Sequence, residues 1–324
     1  MNRRESVLFA LVALAATPFA RAQQAGRIPR IALITITKRE GSTTFDTVMQ
    51  RMRELGYLEG QTLVSARYYA EENPERLASQ AAEIVAQKPD VIVAVATPAI
   101  RAVHLLTKTI PIVMCPATDP VGSGFVASLA RPGGNITGVA NQTIDLSAKL
   151  VQLLRETAPR AKRIALLRTD NPTHPAQIKE VQDAAKAHGM TVFPVTARSG
   201  EEIDMAFPLM SKEKAEALIV LADPILVAQR QRIADLAIKQ KLPSIYQFRE
   251  HAVSGGLASY GPRLPDLYRL AATYVDKILK GVKPADLPVE QPTRFELVIN
   301  RKTAESLNIK IPPDVLLRAD EVIE

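Results

Sequence analysis

The amino-acid sequence predicts an α/β protein of two similar lobes, each built on a parallel sheet. Short apolar runs alternate with helical stretches, and the runs at 31–34 and 91–95 are apolar throughout rather than at every second residue. Strands of that kind belong to parallel sheets whose two faces are both covered. The chain also repeats itself, and 324 residues are enough for two domains.

The elements of the first half follow from the order of these runs. The pattern predicts strands and helices that alternate along the chain: a strand at 31–34, a helix over 43–55 that ends at Gly56, a strand at 62–69, a helix at 74–87, a strand at 91–95 and a strand at 110–114. Strands and helices in this alternation build an open parallel sheet.

The second half of the chain repeats the first at nearly constant spacing. The matching segments are RIAL at 30–33 and 163–166, IVAVATPA at 92–99 and LIVLADPI at 218–225, and IPI at 110–112 and LPS at 242–244. Three matches in the same order favour a duplication over the general likeness of buried strands. We therefore expect two doubly wound, Rossmann-like lobes.

Polar residues follow the predicted strands where the chain turns into the next helix. These strand ends are 35–37, 96–98 and 116–119 in the first half, and 168–171, 222–224 and 246–248 in the second. Open parallel sheets bind ligands beyond the carboxyl ends of their strands, and a cleft between lobes is a common site for a small molecule. The sequence therefore predicts a ligand site where the two sets of strand ends face each other.

A long irregular segment, residues 115–139, follows the fourth strand and is rich in Gly, Pro, Thr, Asp and Asn. Loops of this length are usually functional or disordered. Thr118 and Asp119 fall at a strand end, and glycines such as Gly138 permit backbone angles that other residues avoid. We therefore interpret the segment as cleft wall and hinge.

The first residues predict an export signal. A charged start with Arg3 and Arg4 precedes an apolar run over 6–20, and Ala20 and Ala22 are the small residues that a signal peptidase accepts. We expect a signal peptide over 1–22, cleaved near Ala22, and a periplasmic protein. The alternative is a buried N-terminal helix, and the Arg pair leaves twin-arginine export open beside the general route.

Composition excludes several kinds of site. Cys115 is the only cysteine, which rules out an internal disulfide and a thiolate zinc cluster. The net charge of +7 is dispersed, so we expect no nucleic-acid surface. The four histidines form no metal-spaced pair, and the chain has neither a phosphate-binding glycine loop nor a nucleophile elbow. We expect no metal, no cofactor and no catalysis.

Four segments of the chain together resemble one family. They are ATDPVGSGFVASLARPGGNITGV at 117–139, GGLASYGP at 255–262, YVDKILKGVKPADLPVEQPTRFELVIN at 274–300 and RADEVIE at 318–324. The chain resembles the ABC-transporter substrate-binding family whose better understood members bind tryptophan or tyrosine. The resemblance covers essentially the whole chain after the signal peptide. It implies a type I periplasmic binding protein fold, in which two lobes joined by three crossing segments close on a ligand by hinge motion.

The resemblance also implies where the chain passes between the lobes. Crossings are expected near 138–145, 257–264 and 288–295. The expected lobes are residues 28–141 plus 262–290 and residues 142–261 plus 291–324. The implied partners are a small-molecule ligand and an ABC permease in the inner membrane, and we expect a monomer.

Candidate ligand-binding residues come from the strand ends. A ligand carboxylate needs donors, which hydroxyls and free N–H groups at helix starts supply, so we select Thr97, Ala99 and Thr118. A ligand ammonium needs an ionised acceptor, and Asp223 is the first candidate and Asp119 the second. The expected wall is completed by Thr37, Asn171 and Tyr260.

The aspartates carry a second interpretation. Asp before Pro commonly caps a helix, and Asp223 precedes the helix expected over 225–240. Asp119 is equally suited to capping the turn that follows it, and Thr97 before Pro98 shares the same ambiguity. Ligand binding and capping both stay open for these residues.

The ligand class stays open between two possibilities. The resemblance implies an aromatic amino acid, which needs stacking partners, but the chain has no Trp and only 5% aromatic residues. Lys38, Arg39 and Glu40 depart from the small, uncharged loop expected there, and they either favour a more acidic ligand or form a solvated rim. We therefore expect an amino acid or a related carboxylate.

Other functions are weighed against the importer component. A transcription regulator of this fold would need a DNA-reading helix-turn-helix ahead of the first strand, and the segment from Gln23 to Arg30 leaves no room for one. A periplasmic sensor that feeds a membrane receptor is the alternative, because binding alone does not reveal the downstream partner. An enzyme is the least favoured class.

Overall fold

The computed structural model describes residues 27–40 and 42–324. The predicted signal peptide, residues 1–22, lies outside the described residues. Two separate sheets organise the described chain, one of five strands and one of seven. Helices connect the strands throughout, so the predicted α/β class with two lobes is confirmed.

The first sheet is entirely parallel. Its strands are β1 (Arg30–Thr35), β2 (Val64–Tyr69), β3 (Val91–Ala94), β4 (Ile112–Ala117) and β5 (Ile136–Ala140). They lie in the order β2-β1-β3-β4-β5. The connecting helices are α1 (Thr44–Glu54), α2 (Pro74–Gln87) and α3 (Ala96–His104). The predicted and observed bounds of β1, β2, β3, α1 and α2 differ by no more than two residues at each end, whereas β4 ends three residues later than predicted.

The second sheet repeats this strand order and extends it. Its strands are β6 (Arg163–Arg168), β7 (Thr191–Thr196), β8 (Ala217–Val220), β9 (Ser244–Tyr246), β10 (Ala258–Gly261), β11 (Glu296–Asn300) and β12 (Glu321–Ile323). The order β7-β6-β8-β9-β10 matches β2-β1-β3-β4-β5 of the first sheet, as the repeated segments predict. The strand β11 then pairs antiparallel with β10.

Nine α-helices of the described chain follow β5. They are α4 (Ser147–Thr157), α5 (His174–Lys186), α6 (Gly200–Lys212), α7 (Pro224–Ala228), α8 (Arg230–Lys239), α9 (Arg249–Val253), α10 (Leu264–Leu279), α11 (Arg301–Ser306) and α12 (Pro313–Leu317). The single helix expected over 225–240 is wrong, because the backbone of Gln229 leaves the helical conformation and separates α7 from α8.

Alternate residues of each central strand enter different hydrophobic clusters. Ile31 and Leu33 of β1 pack in one cluster with α1 and α10, whereas Ala32 and Ile34 pack in another with α2 and α3. A strand covered on both faces has to be apolar at every position. This is the physical reason for the continuous apolar runs in the sequence.

The chain passes between the sheets at three places. It leaves the first sheet after β5, returns after β10, and leaves again before β11. Although α10 follows a strand of the second sheet, it packs against α1 and β4 of the first. The lobe boundaries proposed from the sequence, 28–141 plus 262–290 and 142–261 plus 291–324, stay a proposal that these passages support.

The long segment after β4 is a packed loop. Phe125 and Val126 in its middle are buried. The carboxylate of Asp119 accepts the Gly122 N–H at 2.8 Å, and the Leu129 carbonyl accepts the Val289 N–H at 2.7 Å. These contacts fix the loop against the first lobe and against the segment that leads to β11.

Gly138 lies in β5, the strand that leads into the first crossing, and its backbone conformation requires glycine. Its φ is +130°, and a Cβ there would lie 2.6 Å from Met114 N and O of the neighbouring β4. We expect Gly138→Ala to lower the free energy of unfolding by about 1–3 kcal/mol, because the clash is with backbone and the conformation is strained. Urea unfolding measures the change.

The matched control is Gly134→Ala in the same segment, where no atom lies within 4 Å of the added Cβ. This variant is expected to stay within about 0.5 kcal/mol of the wild type. Equal effects of the two substitutions would contradict the account of Gly138.

Candidate ligand-binding site

A cavity of about 130 Å³ lies between the carboxyl ends of the strands of the two sheets. Its wall includes Thr37 and Thr118 from the first sheet and Asn171 and Asp223 from the second. An apolar cavity of about 150 Å³ holds benzene in another protein, so this volume suits a small organic molecule. The structure thus brings together four of the eight candidate residues.

Asp223 is a buried carboxylate in this wall, with 3% of its surface exposed. Its Oδ1 accepts the Ile225 N–H at 2.8 Å and caps the start of α7. Its Oδ2 accepts the Thr169 hydroxyl at 2.8 Å and the Asn171 amide N–H at 3.1 Å. These three partners are neutral donors. Capping and cavity lining therefore coexist in one side chain, and its negative charge is not neutralised by them.

The donors around Asp223 are themselves held in place. The Asn171 Oδ1 accepts both the hydroxyl and the N–H of Thr173, at 3.0 and 3.2 Å, which directs the amide N–H towards Asp223. The Thr169 hydroxyl oxygen accepts the Asn171 N–H at 3.2 Å. Buried networks in which every member is satisfied are rigid. The position of the carboxylate is consequently fixed before a ligand arrives.

The opposite wall contains a hydroxyl and amide network. Thr118 and Asn141 are hydrogen-bonded through the Thr118 hydroxyl at 3.0–3.2 Å, and Asn141 Oδ1 also accepts the Thr143 hydroxyl at 3.1 Å. Thr143 belongs to the first crossing, and its carbonyl accepts Gln247 Nε2 at 2.5 Å from the second lobe. The ligand cavity and the hinge region therefore share a hydrogen-bond network.

Two helices of the first lobe begin at the cavity. The N-cap residues are Thr43 for α1 and Val95 for α3, and neither makes a side-chain capping bond. The first N–H groups of a helix lack partners within the helix and carry a partial positive charge, which attracts anions. The first-lobe wall is therefore suited to a negatively charged group.

Ala96 at the start of α3 has an unusual backbone. Its φ is +63°, in the left-handed region, and it lines the cavity. Non-glycine residues adopt this conformation rarely, and such strain concentrates at functional sites. Sequence patterns carry no sign of a backbone angle, so this residue was not among the candidates.

The other four candidates do not line the cavity. Ala99 is buried in the hydrophobic cluster under α3. The Thr97 hydroxyl is engaged with the backbone N–H and carbonyl of Thr118. Asp119 is exposed and caps a turn. Tyr260 lies in β10 with its ring 6.2 Å from that of Phe295.

The wall also contains aromatic and charged residues that were not selected as ligand candidates, among them Phe248, Tyr268, Arg230 and Glu250. Phe248 follows β9, and the strand-end rule alone could have selected it. Tyr268 comes from α10, whose position depends on the second crossing, and Arg230 and Glu250 lie in helices. No local pattern distinguishes these three from packing or surface residues.

The basic side chains of the loop after β1, Lys38 and Arg39, lie outside the cavity wall. Lys38 Nζ lies 3.7 Å from Glu72 Oε2, and neither Lys38 nor Arg39 lines the cavity, while the exposed Glu40 lies at its edge. The cations of this loop are therefore not arranged around a ligand.

Glu250 is an acid held in an unfavourable environment. Burial raises the pKa of its carboxyl above the ordinary value, and the nearby Arg249, Arg230 and Arg263 only partly oppose this. Its Oε2 is buried without a hydrogen-bond partner in the described chain. The ionised side chain consequently costs free energy in the folded protein.

Two other kinds of site find no support in the described residues. Their histidines, cysteine and acidic residues form no group of three or more that could hold a metal ion. None of their helices combines the length and hydrophobicity of a membrane-spanning segment.

The chain belongs to the family of ABC transporter substrate binding proteins, which matches residues 31–323. This match confirms the resemblance seen in the sequence.

Known relatives agree with this assignment. The chain is 28% identical to the tyrosine-binding protein of Clostridioides difficile (strain R20291) over 264 residues, which are 81% of this chain and 75% of the relative. A solved ABC domain from Streptococcus pneumonia, in complex with L-Trp, superposes with a TM-score of 0.84 at 28% identity, over 92% of this chain and 100% of that one. A conserved domain protein from Vibrio cholerae gives a TM-score of 0.84 at 29% identity, over 91% and 100%.

The raised pKa of Glu250 gives a pH-dependent prediction. The folded protein holds this proton more tightly than the unfolded chain, so the group's contribution to stability falls as pH rises from the ordinary carboxyl pKa through the raised one. Glu250→Gln removes the charge, and we expect it to stabilise the ligand-free protein at pH 8 relative to its effect at pH 4. Urea unfolding at both pH values tests this.

Glu180→Gln on the exposed surface of α5 is the control, and its effect is expected to be small at both pH values. A Glu250→Gln effect that is identical at pH 4 and pH 8 would rule out the burial argument.

Proposed function

We propose that this protein is the periplasmic solute-binding component of an ABC importer and that it captures a zwitterionic aromatic amino acid by closure of its two lobes. One observation carries the proposal: a buried carboxylate with neutral partners, Asp223, lines one side of the cavity, and two helix starts without side-chain caps line the other. The two ends of an amino acid have the complementary charges.

The ammonium group of the ligand is assigned to Asp223. Its three hydrogen bonds leave carboxylate lone pairs for further donors. A charge-assisted bond of this kind contributes about 1.5–3 kcal/mol net. Because burial without a neutralising partner is costly, the cation also relieves a penalty that the empty site carries.

The carboxylate group of the ligand is assigned to the first lobe. Donors there are the first N–H groups of α1 and α3, together with the hydroxyls of Thr37 and Thr118. The left-handed Ala96 sets the direction of the α3 groups. Binding of an anion by such groups needs no basic side chain.

The ligand side chain is assigned to the space beside Phe248 and Tyr268, the two aromatic residues of the wall. Aromatic pairs add about 0.5–1.5 kcal/mol beyond the area that they bury. The relatives that bind tyrosine or hold L-Trp support an aromatic amino acid over an acidic ligand. The placement of Lys38 beside Glu72 supports the same choice.

Closure of the lobes completes the site. Ile225 and Val227 of α7 pack against hydrophobic clusters of the first lobe, so α7 forms a second-lobe wall that contacts the first. Hinge closure of this kind encloses small ligands. The family match supports an ABC permease as partner, and the export signal in the sequence supports the periplasm. A sensor that signals to a membrane receptor would use the same cleft and is the second candidate.

A series of ligands tests the two charge assignments. We expect L-tryptophan and L-tyrosine to raise the melting temperature of the protein, since ligands that bind only the folded state stabilise it. Indole-3-propionate lacks the ammonium group and tryptamine lacks the carboxylate, and each should give a much smaller shift at equal concentration. Equal shifts from all four compounds would contradict the zwitterion model.

The variant Asp223→Asn tests the ammonium site directly. Asn caps helices about as well as Asp, so the fold should persist. Loss of the charge should raise the Kd for L-tryptophan about tenfold or more, as measured by calorimetry. The control is Asp235→Asn on the exposed face of α8. An unchanged Kd for Asp223→Asn would remove this residue from the site.

A further inference from the structure

A single side-chain hydrogen bond joins the lobes away from the crossings in the described chain. Gln229 Nε2 donates to Glu72 Oε1 at 3.0 Å. Other polar side-chain contacts between the two parts lie at the crossings: Thr143 with Thr118 and Asn141, and Arg263 with Glu296. The contact between Glu72 and Gln229 therefore depends on the two lobes lying close together.

The first-lobe partner is held ready for this contact. The Glu72 side chain is only 4% exposed, and Lys38 Nζ lies 3.7 Å from its Oε2. Glu71 and Glu72 have φ values of 55° and 61°, two consecutive residues in the left-handed region. Non-glycine residues adopt this conformation at a cost, so the surrounding structure imposes it. The backbone of this loop therefore holds the Glu72 carboxylate in a fixed position.

Both partners are tied to the ligand cavity without lining it. The Glu71 N–H donates to the carbonyl of Thr37, a wall residue. Gln229 lies between Ala228 and Arg230, which are also in the wall. Its side chain packs over Gly200, where a Cβ would lie 3.1 Å from Gln229 Oε1. A movement of either cavity wall therefore moves one half of the contact.

We propose that Glu72 and Gln229 form a closure latch, a contact outside the ligand cavity that stabilises the closed form and thereby sets how slowly the ligand leaves. This proposal rests on the closure mechanism of the proposed function. It also gives a role to the charged loop beginning at Lys38, since Lys38 holds the latch carboxylate.

The latch acts on the equilibrium between open and closed forms. A residue that stabilises only the closed form raises ligand affinity in proportion to its effect on that equilibrium. Since the encounter with ligand takes place in the open form, the effect falls on the dissociation rate more than on the association rate. A purely structural role of the same residues would alter the unfolding free energy instead.

Substitutions of Gln229 test the latch with L-tryptophan as the probe. Gln229→Ala removes the donor and should raise the Kd about threefold to tenfold, which corresponds to the net contribution of one typical hydrogen bond. Gln229→Glu sets a second carboxylate against Glu72 and should raise the Kd about tenfold or more. Stopped-flow kinetics should place most of each change in the dissociation rate.

Exchange of the two side chains provides a rescue. The double variant Glu72→Gln with Gln229→Glu restores one amide and one carboxylate, and its Kd should return to within about threefold of the wild-type value. Gln182→Glu on the exposed face of α5 is the matched control for the added charge. Urea unfolding of every variant shows whether the fold is equally stable.

Chemical cross-linking tests the contact without any ligand. Glu72→Cys with Gln229→Cys should be joined by a short bismaleimide faster than Glu72→Cys with Gln182→Cys, and the buried Cys115 should not react. If the wild type binds L-tryptophan and Gln229→Glu binds it with the same Kd, the latch is overturned. Failure of the pair Glu72→Cys and Gln229→Cys to cross-link would also overturn it. Absence of any wild-type binding to L-tryptophan or L-tyrosine would instead count against the proposed ligand, and the cross-link then decides the latch.

Discussion

The charge of Asp223 is the constraint on which the cleft depends. A carboxylate removed from water and surrounded by neutral donors keeps its charge only at a cost, and Thr169, Asn171 and the start of α7 reduce this cost without cancelling it. In the proposed function the ammonium group of the ligand supplies the missing positive charge, so that capture of the ligand and closure of the lobes depend on the same carboxylate.

Neither lobe holds a complete site. The second lobe contributes the Asp223 carboxylate and the first contributes partially positive helix starts, so the proposed zwitterionic ligand would lack partners for one of its ends in either lobe alone. This division follows from the duplicated fold, because each sheet ends in its own set of polar turns. Thr143 lies where the two halves meet, because it is hydrogen-bonded to Asn141 of the first lobe and to Gln247 of the second.

The sequence predicted those features that depend only on neighbouring residues, namely the strands and the polar turns that follow them. Continuous apolar runs gave the strands, and turns after those strands gave Thr37, Thr118, Asn171 and Asp223. Tyr268 could not be found in this way, because the second crossing decides where α10 lies, and Glu250 lies inside α9, where no local pattern distinguishes it from a packing residue. Tyr260 was expected in the wall, yet its strand lies next to the antiparallel β11 and its ring packs beside Phe295.

The left-handed backbone of Ala96 has a consequence for which substitutions this position favours. A glycine there would adopt φ +63° at no steric cost, and the folded protein would gain stability from relief of strain. It would also allow the turn to sample other angles, and the donors that follow it would lose their fixed direction. Higher folding stability and a fixed direction of the N–H donors therefore favour different residues at position 96.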